Sequence, residues 1–148
     1  MSLEQQINEE IKAAMLAKEK VRLTALRAVK AEILLAKTAD GSDTIADAAV
    51  LKIVQKLIKQ RRESAAVYQE NNRSELAENE LAEAASLEVY MPKQLGAAEL
   101  DEALKGIIAQ VGAKAPSDMG KVMGVATKRL AGQADGRAIS EAVKRLLR

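Results

Sequence analysis

The chain has 148 residues with a formal net charge of +2, and 48% of its residues are hydrophobic although only Tyr68 and Tyr90 are aromatic. It contains no cysteine and no histidine, which excludes disulfide frameworks, cysteine nucleophiles, serine–histidine–aspartate triads and ordinary zinc sites. A core built from aliphatic side chains favours packed helices over sheets, so we predict an all-α protein of one domain or two small ones.

Neither a membrane span nor an export signal is predicted. No apolar run approaches the roughly 20 residues of a membrane-spanning helix. The start, MSLEQQINEE, is acidic and lacks the basic and apolar regions of a signal peptide. We therefore expect a soluble, cytoplasmic protein. The sequence also has no ATP-binding loop, and we expect neither a cofactor nor a metal.

Long helices are predicted for the N-terminal part of the chain. Ser2 and Gln5 have the spacing of a capping box. Thr44, three residues before Asp47, favours the start of a second helix, and Ser74 can cap a third. The predicted helices run from Ser2 to about Lys37 with a break near 18–20, from Thr44 to about Gln69, and from Ser74 to about Tyr90.

Charged residues interrupt the apolar faces of the second and third predicted helices. Arg61 lies in the middle of one apolar stripe, and Glu80 and Glu83 lie in the other. A lone buried charge is costly, so an ion pair of Arg61 with Glu80 or Glu83 is the structural interpretation. The functional alternative is an anion pocket that Arg61 forms with Arg27 and Lys30.

Proline and glycine usage divide the chain. Only Gly41 precedes residue 95, whereas the other seven glycines follow it. Pro92 should end a helix because its ring cannot continue the backbone pattern. We therefore place a boundary at 92–96, between an N-terminal helical subdomain, 1–92, and a small C-terminal subdomain, 93–148.

Three shorter helices are predicted for the C-terminal subdomain. The first is marked by the apolar series Leu100, Leu104, Ile107 and Val111. The second is predicted to be capped by Ser117 and to end at Gly132, and the third to begin at Asp135. Periodicity divides the last two helices into faces. The predicted inward residues are Met119, Met123, Ala126, Leu130, Ile139, Val143 and Leu146, and the predicted outward ones are Lys121, Gly124, Lys128, Arg137, Lys144 and Arg148.

Positive charge is concentrated in these two helices. Residues 114–148 carry eight basic and three acidic side chains, a local net charge of +5. Such a surface suits a polyanion. The missing side chain of Gly124 leaves the backbone open to a phosphate. The alternative is a helical hairpin whose glycines permit packing and whose lysines keep it soluble.

Several segments together resemble the GatB/YqeY family. The segments YMPKQL, MGKVMG and KRLAGQADGRAISEAVKRLL carry the resemblance, and LRAVKAEI and IKQRRESAAVY are similar to the N-terminal helices of the family. The resemblance covers nearly the whole chain. Met91 departs from the leucine that is more usual before the proline.

The resemblance implies two helical subdomains and a relationship to the C-terminal tail of the B subunit of tRNA-dependent glutamyl/aspartyl amidotransferases, which contacts tRNA. Stand-alone members of this size also exist. The catalytic part of the subunit has no counterpart here, and we predict no catalytic residue. We predict a tRNA-associated accessory protein that has an amidotransferase or another aminoacyl-tRNA-handling protein as its partner.

Most of the candidate RNA-binding residues combine outward placement with positive charge or an open backbone, and Arg129 lies on the flank of its helix: Lys121, Gly124, Lys128, Arg129, Arg137 and Lys144. Two alternatives stay open at this point. One is a protein-interaction adaptor that docks through its N-terminal helices. The other is a component of a carbon–nitrogen ligase that uses glutamine as amide donor.

Overall fold

The computed structural model describes residues 1–148 and confirms the all-α fold, with seven α-helices, one 3-10 helix and no strand. The helices are α1 Leu3–Leu16, α2 Lys20–Asp40, α3 Asp47–Glu70, α4 Ser74–Glu88, α5 Ala97–Val111, the 3-10 helix Pro116–Asp118, α6 Met119–Arg129 and α7 Gly136–Leu146. They form two compact units, Met1–Met91 and Pro92–Arg148. None of the helices is both long and apolar enough to cross a membrane.

The N-terminal unit begins with the predicted capping box. The Ser2 hydroxyl accepts the N–H of Gln5 at 3.2 Å, and the Gln5 side chain accepts the N–H of Ser2 at 2.9 Å. The predicted break is also present, since α1 ends at Leu16 and Lys18 has a left-handed φ of 59°. The unit therefore has four helices, because the break lets α1 fold back on α2 and bury its apolar face.

Two predicted helix caps in this unit were wrong. Thr44 does not start α3, because its backbone is held in a turn by the Ser42 hydroxyl. The helix starts at Asp47, whose Oδ1 accepts the N–H of Leu3 at 2.9 Å and so joins the first turns of α1 and α3. Ser74 is the first residue of α4 and makes no capping bond, because Arg73 occupies the N-cap position.

Aliphatic side chains from all four helices fill the core of this unit. The buried cluster consists of Ile7, Ile11, Ala14, Ala25, Leu26, Val29, Ile33, Val50, Val54, Leu57, Ile58, Ala84 and Leu87. At the end of the unit the Tyr90 hydroxyl donates to Glu10 Oε2 at 2.8 Å, and Arg22 donates to Glu10 Oε1 at 3.3 Å. Burial, with a further contribution from the bond to Glu10, raises the pKa of Tyr90 to about 12. The hydroxyl therefore remains a donor at neutral pH.

The predicted ion pair of Arg61 forms with Glu83, not with Glu80. Arg61 Nε lies 3.3 Å from Glu83 Oε1, and the two side chains are only 15% and 9% exposed. Asn79 donates to the other carboxylate oxygen of Glu83 at 2.9 Å. The anion-pocket alternative was wrong: Arg27 is exposed, and Lys30 donates to Asn8 of α1.

The C-terminal unit is a three-helix cluster with its own core of Leu100, Leu104, Ile107, Ala113, Val122, Ala126, Leu130, Ile139, Ala142, Val143 and Leu147. The predicted start of α7 is confirmed, since Asp135 Oδ1 accepts the N–H of Ala138 at 2.7 Å. The cap predicted at Ser117 was wrong. Residues 116–118 form a 3-10 turn, in which the Asp118 carboxylate accepts the N–H groups of Lys114 and Ala115 at 3.0 and 3.3 Å.

The inward faces of α6 and α7 differ in part from the prediction. Val122 is fully buried, while Met119 and Met123 are only partly buried beside it. Leu147, rather than Leu146, closes the last helix against the core. Helix α6 ends at Arg129, and Gly132 lies in the following turn with a φ of 77°.

The Arg61–Glu83 pair generates a stability prediction. Arg61→Met should destabilise the protein by about 3 kcal/mol, because it leaves the Glu83 carboxylate buried without its charge partner. Arg61→Met/Glu83→Leu should recover most of that loss, because neither charge then remains. Urea unfolding followed by circular dichroism measures both.

Arg62→Met is the matched control, since Arg62 pairs with Glu88 on the exposed surface. Its effect should stay below about 1 kcal/mol. A double variant no more stable than Arg61→Met would contradict the account of the buried pair.

Candidate nucleic-acid interface

Three of the candidate residues share one exposed face of α6. At roughly 100° per residue, Lys121, Gly124 and Lys128 lie within about 60° of one another around the helix. All three are exposed, and a Cβ placed on Gly124 would meet no other atom within 4 Å. Neither lysine forms an ion pair with a carboxylate. This face, here called the α6 basic face, therefore presents two unpaired cations beside an open stretch of backbone.

The two candidate arginines are exposed but already have partners. Arg129 donates to Gln110 of α5, and Arg137 Nε donates to Glu141 Oε1 at 3.1 Å, one turn along α7. Exposed pairs of this kind contribute about 0–1 kcal/mol, so either guanidinium can exchange its partner for a phosphate at little cost. Lys144 is exposed and forms no ion pair.

An open groove of about 710 Å³ runs beside α7, and Lys144 lines it whereas the other five candidates do not. Its lining residues come from the segment before α5, from α5, and from the turn that leads into α7 and α7 itself: Gln94, Leu95, Ala97, Leu100, Asp101, Gln133, Ala134, Asp135, Ala138, Glu141, Ala142, Lys144, Arg145 and Arg148. Here this space is called the α7 groove.

Two hydrogen bonds fix one wall of the α7 groove. The N–H of Leu95 donates to the Gln133 carbonyl at 2.9 Å, and Gln94 Nε2 donates to the Gly132 carbonyl at 2.6 Å. The YMPKQL and GQADG segments thus bind each other. Each segment can be recognised in the sequence, but no local pattern indicates that the two segments, nearly forty positions apart, bind each other.

A bidentate ion pair in the lining of the groove joins α5 to α7. Arg145 donates to the two Asp101 oxygens at 2.6 and 3.1 Å. Hydrogen bonding to the Arg145 guanidinium holds the pKa of the Asp101 carboxyl below its ordinary value. Sequence reasoning missed this pair, because Arg145 reads as one more cation in a basic helix. Lys144 and Arg148, its neighbours in the groove, form no ion pair.

The geometry supplies binding groups and no metal site. No cluster of three or more acidic side chains could hold a metal ion. Asp118, the acidic residue at the start of α6, is turned back to the backbone of the preceding loop, and those N–H groups lower its pKa. The arrangement can attract an anion through charge and hold it by hydrogen bonds from lysine and arginine.

The chain matches one protein family and is similar in sequence to two known proteins. The family model described as Yqey-like protein matches residues 4–147. The chain is 30% identical over 145 residues to "Altered inheritance of mitochondria protein 41, mitochondrial" of Pyrenophora tritici-repentis, an alignment covering 95% of this chain and 78% of that protein. The Kluyveromyces lactis protein of the same name is 39% identical over 85 residues, which cover 57% of this chain and 45% of that protein.

The Asp101–Arg145 pair should make part of the stability depend on pH. Because the pKa of Asp101 is lowered in the folded state, its contribution is present above the unfolded-state value of about 3.9 and disappears as the pH falls through the folded-state value. Asp101→Asn should therefore be less stable than wild type at pH 7 and lose that difference in strong acid.

Urea unfolding at neutral and acidic pH measures the effect. Arg145→Gln should remove the same pH-dependent difference, and the double variant should lose no more than either single one. Additive losses from the two single substitutions would show that the pair is not coupled.

Proposed function

Because this chain belongs to the Yqey-like family, we propose that it is a tRNA-associated accessory protein whose C-terminal unit contacts the tRNA backbone. The α6 basic face carries the proposal, since Lys121 and Lys128 are exposed without a carboxylate partner on either side of Gly124. The family resemblance to the amidotransferase B-subunit tail supports tRNA as the polyanion.

Contacts of this kind bind phosphate and do not read bases. Lysine acts as a strongly hydrated point charge, and each lysine placed on a phosphate releases counterions from the RNA. The C-terminal unit has no aromatic side chain on which a base could stack. We therefore expect affinity that depends strongly on salt and recognition that depends on the shape of the folded RNA.

Arg129, Arg137 and Lys144 extend the proposed contact surface. On the exposed surface Arg129 is bonded to Gln110 and Arg137 to Glu141. We expect these residues to contribute less than Lys121 and Lys128, because a phosphate must replace a partner at Arg129 and Arg137, and because Lys144 lies in the α7 groove.

In this role the protein presents tRNA to an enzyme, and the chain itself needs no catalytic residue. We propose an aminoacyl-tRNA-handling enzyme as the partner, such as a tRNA-dependent amidotransferase, whose own subunits carry out the carbon–nitrogen ligase reaction with glutamine. We place this role in the cytoplasm as a proposal; the names of the relatives place those proteins in mitochondria.

The first test reverses charge on the α6 basic face. Lys121→Glu/Lys128→Glu should weaken binding of unfractionated tRNA at least tenfold at low salt. It should also reduce the slope of log affinity against log salt concentration by about two, because two phosphate contacts are lost. Fluorescence anisotropy with labelled tRNA across a salt series measures both quantities.

Lys52→Glu/Lys59→Glu is the matched control, because it makes the same change in charge at two exposed lysines of α3 that form no ion pair. The control should keep most of the affinity and its slope. If both double variants lost the same tRNA affinity, the loss would be explained by the change in net charge alone, and the assignment of the contact to α6 would be overturned.

The second test closes the open backbone at Gly124. Gly124→Leu should stabilise the protein by about 0.5–1 kcal/mol, because glycine is a poor helix former and the space around it is empty. The same substitution should weaken tRNA binding several-fold, because the new side chain covers the backbone between the two lysines. Urea unfolding and tRNA anisotropy measure the two effects.

Gly106→Leu in α5 is the control for this test, since Gly106 is also helical, exposed and free of neighbours within 4 Å. It should bring a similar gain in stability without a change in tRNA affinity. Unchanged tRNA binding by Gly124→Leu would exclude Gly124 from the interface.

A further inference from the structure

We propose that the α7 groove binds a short, acidic, amphipathic helix of a partner protein. The groove lining shares one residue, Lys144, with the proposed tRNA contact surface and none with the α6 basic face, so the two proposals can be tested separately. The length of the groove, its apolar floor, the state of its backbone groups and its unpaired charges each limit what can occupy it.

The groove follows α7 from end to end. The residues Asp135, Ala138, Ala142, Arg145 and Arg148 line the groove at intervals of three or four positions, from the N-cap of α7 to just beyond its end, and Glu141 and Lys144 lie between them. A helix of this length spans roughly 16 Å, or three turns. An occupant lying along α7 therefore needs about three to four helical turns.

Small and aliphatic side chains form the floor. Ala134, Ala138 and Ala142 project little from the backbone, and Leu95 also lines the groove, while Leu100 and Ala142 belong to the buried core beneath it. Alanine at such spacing lets a second helix approach closely, near the short end of the usual interaxial distance of about 8–10 Å. Leucine or a similar side chain on the occupant would fill the space above the alanines.

The backbone at the groove favours a helix over an extended peptide. An extended peptide gains affinity by pairing with free backbone groups at the edge of a sheet. This unit has no sheet, and the N–H of Leu95 in the groove wall is already bonded to the Gln133 carbonyl. The occupant must therefore satisfy its own backbone hydrogen bonds, as an α-helix does.

Charge complementarity makes the occupant acidic. Each carboxylate in the groove is already engaged: Asp101 by Arg145, Asp135 by the first turn of α7, and Glu141 by Arg137. Lys144 and Arg148, both near the C-terminal end of α7, have no carboxylate partner. Glutamate or aspartate at one end of the docked helix would pair with them.

The same features disfavour RNA in the groove. A nucleic-acid backbone is charged along its whole length and would meet the carboxylates of Asp101, Asp135 and Glu141, whereas the acidic residues of a docked helix need to lie only beside Lys144 and Arg148. No aromatic side chain lines the groove to stack on a base. An apolar floor with few spare cations instead matches the helix-in-groove mode of peptide recognition.

The test uses the full chain and a synthetic peptide of about 14 residues, or roughly four helical turns, with leucine along one face, glutamate at one end and neutral polar residues elsewhere. A matched peptide carries lysine in place of glutamate. Isothermal titration calorimetry should show saturable binding of the acidic peptide and none of the basic one. Equal binding of the two peptides, or no binding of the acidic peptide at millimolar concentration, overturns the proposal.

Two variants locate the site. Ala97→Leu fills the groove from an exposed position and should weaken the acidic peptide about tenfold, whereas Ala98→Leu, exposed on the same helix outside the groove, should not. Arg148→Glu should weaken binding about fivefold through loss of an exposed charge pair. Circular dichroism confirms that each variant is folded, and equal effects of Ala97→Leu and Ala98→Leu would contradict the location.

The two proposals fail separately. Lys121→Glu/Lys128→Glu should leave peptide binding unchanged while it weakens tRNA binding, and Ala97→Leu should have the opposite pattern. If Ala97→Leu and Arg148→Glu weaken tRNA and leave the peptide unaffected, the groove is part of the RNA surface and the proposal of a helical partner is wrong.

Discussion

The three acidic residues of residues 114–148 all have partners within the C-terminal unit, and the exposed charge of this segment is therefore mainly positive. Asp118 binds the loop before α6, Asp135 caps α7, and Glu141 binds Arg137. These are the only acidic residues among the 114–148 range that carries a net charge of +5. Two of them satisfy backbone N–H groups that a helix start leaves without partners. Two of the three carboxylates therefore serve the backbone and the third pairs with an arginine, and Lys121 and Lys128 form no ion pair.

The two halves of the chain use ion pairs differently. In the N-terminal unit Arg61 and Glu83 are paired inside a mostly apolar environment, where removing one charge is costly. In the C-terminal unit the pairs of Arg137 and Arg145 are more exposed and can be exchanged for a ligand. The proposed tRNA surface and the proposed peptide groove both lie in this second unit, whose ion pairs are mostly exposed. The family model matches residues 4–147 and so includes both units.

The sequence was sufficient where a structural signal is local. Ser2 with Gln5, Asp135, and the break after α1 all depend on a few neighbouring residues, and the structure contains each of them. The predicted caps at Thr44, Ser74 and Ser117 failed because the capping residue depends on the tertiary fold. Asp47, for example, serves a backbone N–H that is 44 positions away. The choice of Glu83 over Glu80 depends on the rotation of α4 against α3, and the α7 groove brings together segments that share no local pattern.

The bond from Tyr90 to Glu10 also gives the N-terminal unit an optical reporter. The chain has no tryptophan and only two tyrosines, so its near-ultraviolet signal comes from few positions. Tyr90 joins the residues just after α4 to α1, and burial together with the bond to Glu10 raises the pKa of its phenol to about 12. A fall of the Tyr90 pKa towards the ordinary tyrosine value of about 10 would therefore indicate that this junction had opened. The structure thus contains a label-free spectroscopic probe at the last turn of its first unit.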